Sequence, residues 1–280
     1  AGKILRRDTP LIAIPDPMTS MGNGAAFAYA VHQLYERLPS LSRDSRYKHL
    51  HGKNIEDLRV IIIQAGGFGS RLAITLAHGS KPLMKIPKNL NPETSANILD
   101  YVIKGSYKFS QALEKQGRAG LIVLNGDGLL VTVPQIQDGA NLIVYPETKQ
   151  NAAGQLGVVL DDKTVERRIT AFEEKPSLQE LEELVEGQVV FANTASCVYT
   201  QSQEKYHEFT QSLLRIAEVI IEAEENNTRG EVDTSNDMLL PCSLGDKQAQ
   251  LDAHRKTRAK KAAKTDDETS EKFQAADKFY

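Results

Sequence analysis

Apolar residues along the chain fall into short, uninterrupted runs and into longer stretches where they recur at helical spacing. Residues 60–64 (VIIIQ), 120–124 (GLIVL) and 142–146 (LIVYP) are runs of strand length. Such a run, β-branched and without alternation, predicts a strand buried on both faces of a parallel sheet, and 60–64 is the clearest of the three. Further strands are expected at 11–14 (LIAI), closed by Pro15, at 157–162 and 169–172, joined by a turn, and at 189–199, where polar residues interrupt the run. Helical spacing links Phe27, Ala30, Val31, Leu34 and Leu38; then, from about Ser95, Ile98, Val102 and Leu113, with Gly117 as the stop; then Tyr206, Phe209, Leu213, Ile216, Val219 and Ile220 within 204–225. Residues 178–186 (LQELEELVE) predict an acidic helix with one solvated face. Strands that alternate with helices predict an α/β domain of three layers over 1–245, its sheet mixed but mainly parallel. Residues 39–59 are polar and predict a surface connection. From 246 to 280 the chain is basic and then acidic with little apolar period, as expected of a frayed helix or a disordered tail.

Composition narrows the classes. The chain has 280 residues, 40% hydrophobic and 25% charged, with a net charge of −3, so no strongly basic surface points to nucleic acid. No apolar run approaches a membrane span, and no signal-peptide pattern opens the chain. Cys197 and Cys242 stand far apart, outside any metal or redox spacing, and the expected compartment is a reducing cytoplasm. The chain opens on Ala1 without a methionine, so the natural protein is expected to extend further.

Candidate chemistry begins where the run 60–64 breaks into Ala65, Gly66, Gly67, Phe68, Gly69, Ser70, Arg71 and Leu72. Glycines let the backbone turn tightly and bring its N–H groups close to a ligand, and Arg71 sets a permanently charged donor fork beside them. This is the chemistry of a phosphate cradle. It lacks the Gly-Lys-Ser/Thr ending of a P-loop and does not fit the dinucleotide fingerprint G-x-G-x-x-G. An aspartate-bearing turn, Asn125-Gly126-Asp127-Gly128, ends the run 120–124, at the carboxyl end of a strand where open α/β sheets place their sites. Asp127 has the hard oxygens that Mg²⁺ takes beside substrate phosphates, although Asn-Gly-Asp-Gly is also ordinary turn chemistry. His49 and His51 lie two apart in a polar loop without a third ligand and carry no metal site on this reading.

The order Gln64 to Leu72, then Lys81-Pro82-Leu83, resembles the sugar nucleotidyltransferase pattern A-G/A-G-x-G-x-R-L, spacer, K-P-L. Upstream, Asp16, Pro17, Gly22 and Gly24 precede a helix and resemble the loop of the fucose-1-phosphate guanylyltransferase (GDP-fucose pyrophosphorylase) group, while Asn23, Ala25 and Phe27 depart from it. Downstream, Gly157-Val158-Val159, a strand, and Glu174-Lys175-Pro176-Ser177 resemble the G-V-V-x-x-D, strand, E-K-P-S order of the family. The resemblance covers roughly 11–245, specific around Val60 and loose elsewhere.

The resemblance implies a three-layer α/β/α, Rossmann-like nucleotidyltransferase fold and an enzyme that joins a nucleoside triphosphate to a sugar-1-phosphate with release of pyrophosphate. GTP and fucose-1-phosphate are the nearest match, although the spacing from Arg71 to Lys81 suits the general family slightly better. Arg71 and Lys81 would be catalytic, stabilising phosphate charge; Gly22, Gly24, Ala65, Gly66, Gly67 and Gly69 would bind nucleotide. Lys175 would hold the sugar phosphate, with Asn193 and Thr194 toward sugar hydroxyls, unless those two polar strand residues face solvent. The cofactor would be Mg²⁺, held by Asp127 and by a second carboxylate for which Asp237 fits the pattern better than Asp233. A missing C-terminal domain or a fused kinase domain is implied by the same group. The alternative is a non-catalytic nucleotide-sugar-binding or regulatory domain of the same fold.

Overall fold

The structure, a computed structural model, describes residues 8–15, 22–64, 97–126, 135–161, 169–173, 175–200 and 203–225. It is an α/β protein whose strands pair both parallel and antiparallel. The chain divides into two compact units: Ala1–Asp16, Ala26–Asn141 and Cys197–Ala217 form the first, and Pro17–Ala25, Leu142–Ser196 and Glu218–Tyr280 the second. In chain order the elements are α1 (Gly22–Arg43), β1 (Arg59–Gln64), α2 (Ile98–Lys115), β2 (Gly120–Asn125), β3 (Gly139–Thr148), α3 (Lys149–Ala152), β4 (Val158–Asp161), β5 (Ile169–Glu173), α4 (Leu178–Leu184), β6 (Val189–Thr200) and α5 (Gln203–Glu225). Two short 3₁₀ helices, Ser45–Leu50 and Ile55–Asp57, occupy the polar connection before β1.

In the first unit β1 runs parallel to β2, in register from Arg59 opposite Gly120 to Gln64 opposite Asn125. The end of β6 pairs antiparallel on the other side of β2, Leu121 opposite Tyr199 and Val123 opposite Cys197. β2 is therefore flanked by strands on both sides, and Leu121, Ile122, Val123 and Leu124 are buried. β1 was expected to be the buried strand, but Arg59 is exposed and Val60 to Gln64 are half-buried. Among the described strands β1 pairs with β2 alone, whereas β2 has a partner on each side. Between β1 and β2, α2 starts at Asn97, whose side chain accepts from the Asp100 N–H at 2.8 Å while Asp100 accepts from the Asn97 N–H at 3.0 Å, a reciprocal capping box. It stops at Gly117 (φ 66), where the Gly117 N–H donates to Glu114 O and the Arg118 N–H to Leu113 O, both at 2.9 Å. That pair of bonds needs a left-handed residue, so glycine ends the helix where the sequence predicts it. Val102 and Leu113 of the predicted stripe are buried.

α1 and α5 carry the aromatic part of this core. Phe209 stacks on Tyr199 at 3.6 Å between ring centroids, and Phe27 lies 6.4 Å from Phe209. Tyr206 is 1% exposed, and burial raises its phenol well above the ordinary tyrosine range. Two details differ from expectation. α1 begins at Gly22 and takes Gly22 and Gly24 into its first turn, because Ala25, Phe27, Ala28 and Val31 bury a face large enough to offset about 1 kcal/mol per helical glycine. Residues 11–14 form no strand: proline at 10 and 15 removes ladder donors on both sides, and Leu11 is 73% exposed.

In the second unit β6 pairs antiparallel with β4 (Val158 opposite Ala192), and β4 with β5 (Val158 opposite Glu173). One apolar cluster joins Ala152, Val158, Leu181 and Val190 beneath α3 and α4; another joins Val159 and Phe172 with Leu142, Val144 and Ile169. Among the described strand pairs β1–β2 is parallel and β2–β6, β4–β6 and β4–β5 antiparallel, so the expected mainly parallel character gives way to a mixed sheet. The short segment joining β4 to β5 favours their antiparallel pairing, since a parallel return needs a crossover of a dozen or more residues.

Gly120 opens β2 at a crowded point. A Cβ there would stand 2.6 Å from Tyr199 O and 3.1 Å from a methyl of Leu113. Gly120→Ala is expected to lower stability by about 1–3 kcal/mol, read as a lower urea midpoint at unchanged slope. Cys197, buried in β6, has its thiol pushed up to about 12 by burial. Its thiolate is therefore scarce below that pH, and a thiol reagent mapped by mass spectrometry should leave Cys197 unlabelled in the native chain at pH 8 and label it in denaturant.

Candidate functional site

In the first unit the site begins at the carboxyl ends of the parallel pair. Gln64 ends β1 opposite Asn125 at the end of β2, and the Gly126 N–H continues the ladder to Gln64 O at 2.9 Å. From these two ends the chain leads into Ala65 and into Asp127. The two sequence signals singled out for phosphate and metal thus leave neighbouring strands at the same end, where parallel sheets open their ligand crevices. Ala65, Gly66, Gly67, Gly69, Arg71, Lys81, Asp127 and Asp237 themselves lie outside the described residues. Gly22 and Gly24, which fall in the second unit, belong to the first turn of α1, whose N–H groups have no intrahelical acceptor, and Gly24 is buried.

In the second unit Lys175 follows the end of β5 and has a left-handed backbone, φ 47. Its side chain is exposed, whereas Pro176 beside it is buried. The Pro176 carbonyl accepts from the Gly154 N–H at 2.8 Å, and Ser177 then caps α4: its hydroxyl accepts from the Glu180 N–H at 3.2 Å and its own N–H donates to the Glu180 carboxylate at 2.7 Å. The chain beyond Lys175 is consequently fixed by the Gly154–Pro176 backbone bond and the Ser177–Glu180 capping box.

Asn193 and Thr194 sit in β6 just before a second left-handed residue, Ala195, φ 56. Asn193 Oδ1 accepts from the Ala195 N–H at 3.0 Å, the Asn193 N–H donates to Gly157 O at 2.9 Å, and Thr194 Oγ1 donates to Ile143 O at 2.6 Å. The Thr194 proton is therefore engaged by backbone, and what its hydroxyl has left to offer a ligand is lone pairs. These bonds surround the left-handed residue, and β4 pairs with β6 before it, at Phe191 and Ala192. Among the described residues Lys175 and Ala195 are the non-glycine residues at positive φ, and both fall in segments singled out from sequence. Strained backbone of this kind persists where surrounding contacts over-determine it, and it gathers at functional sites.

Two participants carry no sequence signal. Lys149 is 4% exposed, with its ammonium donating to Val185 O at the end of α4 and its N–H to Gln188 O at 3.0 Å. A lysine reads as a surface residue in any pattern of polarity, so its burial was not foreseeable. Gly154 (φ 67) looks like any turn glycine until its bond to Pro176 is seen. Among the described residues no three His, Cys, Asp or Glu side chains gather where they could hold a metal ion, and His49 and His51 gain no third partner.

Ala195→Gly is expected to stabilise the chain by a few tenths to about 1 kcal/mol, because the left-handed cost of a Cβ exceeds the entropy cost of glycine. A raised thermal midpoint of that variant checks it; a lowered midpoint would show that Ala195 is not strained.

No family model matches the chain, and no curated protein matches it.

Proposed function

We propose that the chain is a sugar-1-phosphate nucleotidyltransferase with a three-layer, Rossmann-like α/β/α architecture. A phosphate oxygen of the sugar-1-phosphate attacks the α-phosphorus of a nucleoside triphosphate, the bond from that phosphorus to the α–β bridging oxygen breaks, and pyrophosphate leaves. GTP and fucose-1-phosphate are the proposed pair, and the cytoplasm the proposed compartment. The observation that carries this reading is the register of β1 with β2, which sends the Gly66-Gly67-Phe68-Gly69-Ser70-Arg71 stretch and the Asp127 turn out from adjacent parallel carboxyl ends. Parallel strand pairs place ligands at that end, and the two stretches hold the residue types that phosphate and divalent cations require.

Roles follow from charge and chemistry. The glycine backbone (Ala65, Gly66, Gly67, Gly69) offers N–H groups to the triphosphate, with Gly22 and Gly24 proposed on the nucleotide as well. Arg71, a bidentate donor, and Lys81, a point charge, stabilise the negative charge that spreads over the phosphoryl oxygens during attack. Lys175 meets the phosphate of the sugar-1-phosphate, and Asn193 and Thr194 accept from sugar hydroxyls. Asp127 and Asp237 are the proposed carboxylates for Mg²⁺, which when bound neutralises phosphate charge. The protein's share of the acceleration is positioning and electrostatics.

The test is pyrophosphate release with Mg²⁺, each of the four common nucleoside triphosphates and a panel of sugar-1-phosphates. Release requiring both substrates, lowered about 10²-fold or more in Arg71→Ala, supports the transferase. Nucleotide binding without release across the panel moves the reading to a non-catalytic nucleotide-sugar-binding domain.

A further inference from the structure

We infer that the outward face of α4 is a docking surface for the basic stretch 255–264 of the same chain. The docking is independent of what the chain catalyses.

Helical spacing builds the face. Leu181, at 0% exposure, turns into the cluster of Ala152, Val158 and Val190, so the opposite side of the helix meets solvent. Gln179, Glu182 and Glu183 lie on that side, three and four positions apart, and all are exposed. Gln179 Nε2 donates to the Glu183 carboxylate at 3.1 Å, which holds these two together. Leu178 and Leu184 border them, 38% and 48% exposed, and Val189 at the start of β6 is 54% exposed. Residues 178–189 (LQELEELVEGQV) contain Glu180, Glu182, Glu183 and Glu186 and no Lys, Arg or His. Lys149 brings a cation to the carbonyl end of the helix, but it is buried and meets Val185 O, so the outer face keeps its negative sign. The result is an acidic helix face edged by exposed leucines.

Charge and tether name the occupant. Residues 255–264 (RKTRAKKAAK) carry Arg255, Lys256, Arg258, Lys260, Lys261 and Lys264, with threonine and alanine between them and no acidic residue. Long basic side chains suit both parts of the face: their charged heads meet carboxylates, and their aliphatic stems lie on exposed leucine. The stretch belongs to the same compact unit as α4. Residues 226–254 join it to the end of α5, and a segment of that length extends up to about 100 Å, which leaves α4 within reach. Each exposed ion pair is weak by itself. Tethering supplies an effective concentration on the order of a millimolar, which lets several weak pairs close together. A basic segment of another molecule lacks that advantage, so the chain's own segment is the occupant.

The test treats the full chain with a water-soluble carbodiimide, which joins carboxylates to amines only where they touch, and maps the links by mass spectrometry. An equal mixture of ¹⁵N-labelled and unlabelled chain separates links within a chain from links between chains. Expected are links within one chain from Glu182 or Glu183 to Lys256, Lys260, Lys261 or Lys264, reduced about tenfold at about 1 M salt, where the screening length falls to ~3 Å. The Glu182→Lys/Glu183→Lys variant should reduce links between α4 and the tail by about the same factor. Adding Lys256→Glu, Lys260→Glu and Lys264→Glu to that variant should restore coupling between positions 182–183 and the tail, with amine and carboxylate exchanged. The inference is overturned by links that join only different chains, which would make the face an interface between two copies. It is overturned equally by tail links only to 218–225 or to the acidic stretch 266–271, by no link to α4, or by a pattern unchanged in Glu182→Lys/Glu183→Lys.

Discussion

The parallel ladder between β1 and β2 is the constraint on which the first unit depends. A parallel pair cannot be closed by a hairpin, so the chain must leave β1, cross over and return to start β2 at the same end. Residues 65–119 make that crossover, and α2 lies within it, braced at its start by Asn97 and Asp100 and at its stop by Gly117. The register of the ladder then decides what stands beside what. With Gln64 opposite Asn125, the two strands end side by side; a slip of two residues would separate these ends by about 7 Å along the strand.

What fixes that register is packing at the other end of β2. Gly120 brings its backbone against Tyr199 O and Leu113, where no side chain fits, so β6 and α2 approach β2 at one level. Thr200 adds a bond from its hydroxyl to Ala119 O at 2.8 Å. Tyr199, next in the chain, stacks on Phe209 and thereby ties β6 to α5. A close backbone contact, a side-chain bond and an aromatic stack therefore set where β2 begins, and the parallel ladder carries that setting to the opposite end.

Much of this was legible from residues. The runs 60–64 and 120–124 became β1 and β2 because β-branched apolar residues fit a pleated, buried surface, and the stop at Gly117 followed from its freedom at positive φ. Burial was less legible. Val60 to Ile63 and Leu121 to Leu124 look alike in sequence, yet the first run is half-buried and the second fully buried. Among the described strands β2 has two neighbours and β1 one, a tertiary fact with no local trace. Gly22 and Gly24 misled for the same reason: intrinsic preference placed them in a loop, and the buried face of α1 outweighed it. The candidate site divides likewise. Lys175 was visible by residue type and order, whereas its left-handed backbone and the buried Lys149 follow from contacts that sequence spacing does not encode.

The two strained residues bear on how the second unit reconciles stability with placement. Ala195 and Lys175 each hold a conformation that glycine would adopt freely; the Ala195 N–H donates to the Asn193 carboxamide oxygen, and the Pro176 carbonyl, one residue beyond Lys175, accepts from the Gly154 N–H. The Gly154 turn lies beside an apolar cluster in which Ala152, Val158 and Leu181 are buried and against which Ala153 packs. Burial there is strong enough to carry a local cost of about 1–2 kcal/mol per strained residue without losing the fold.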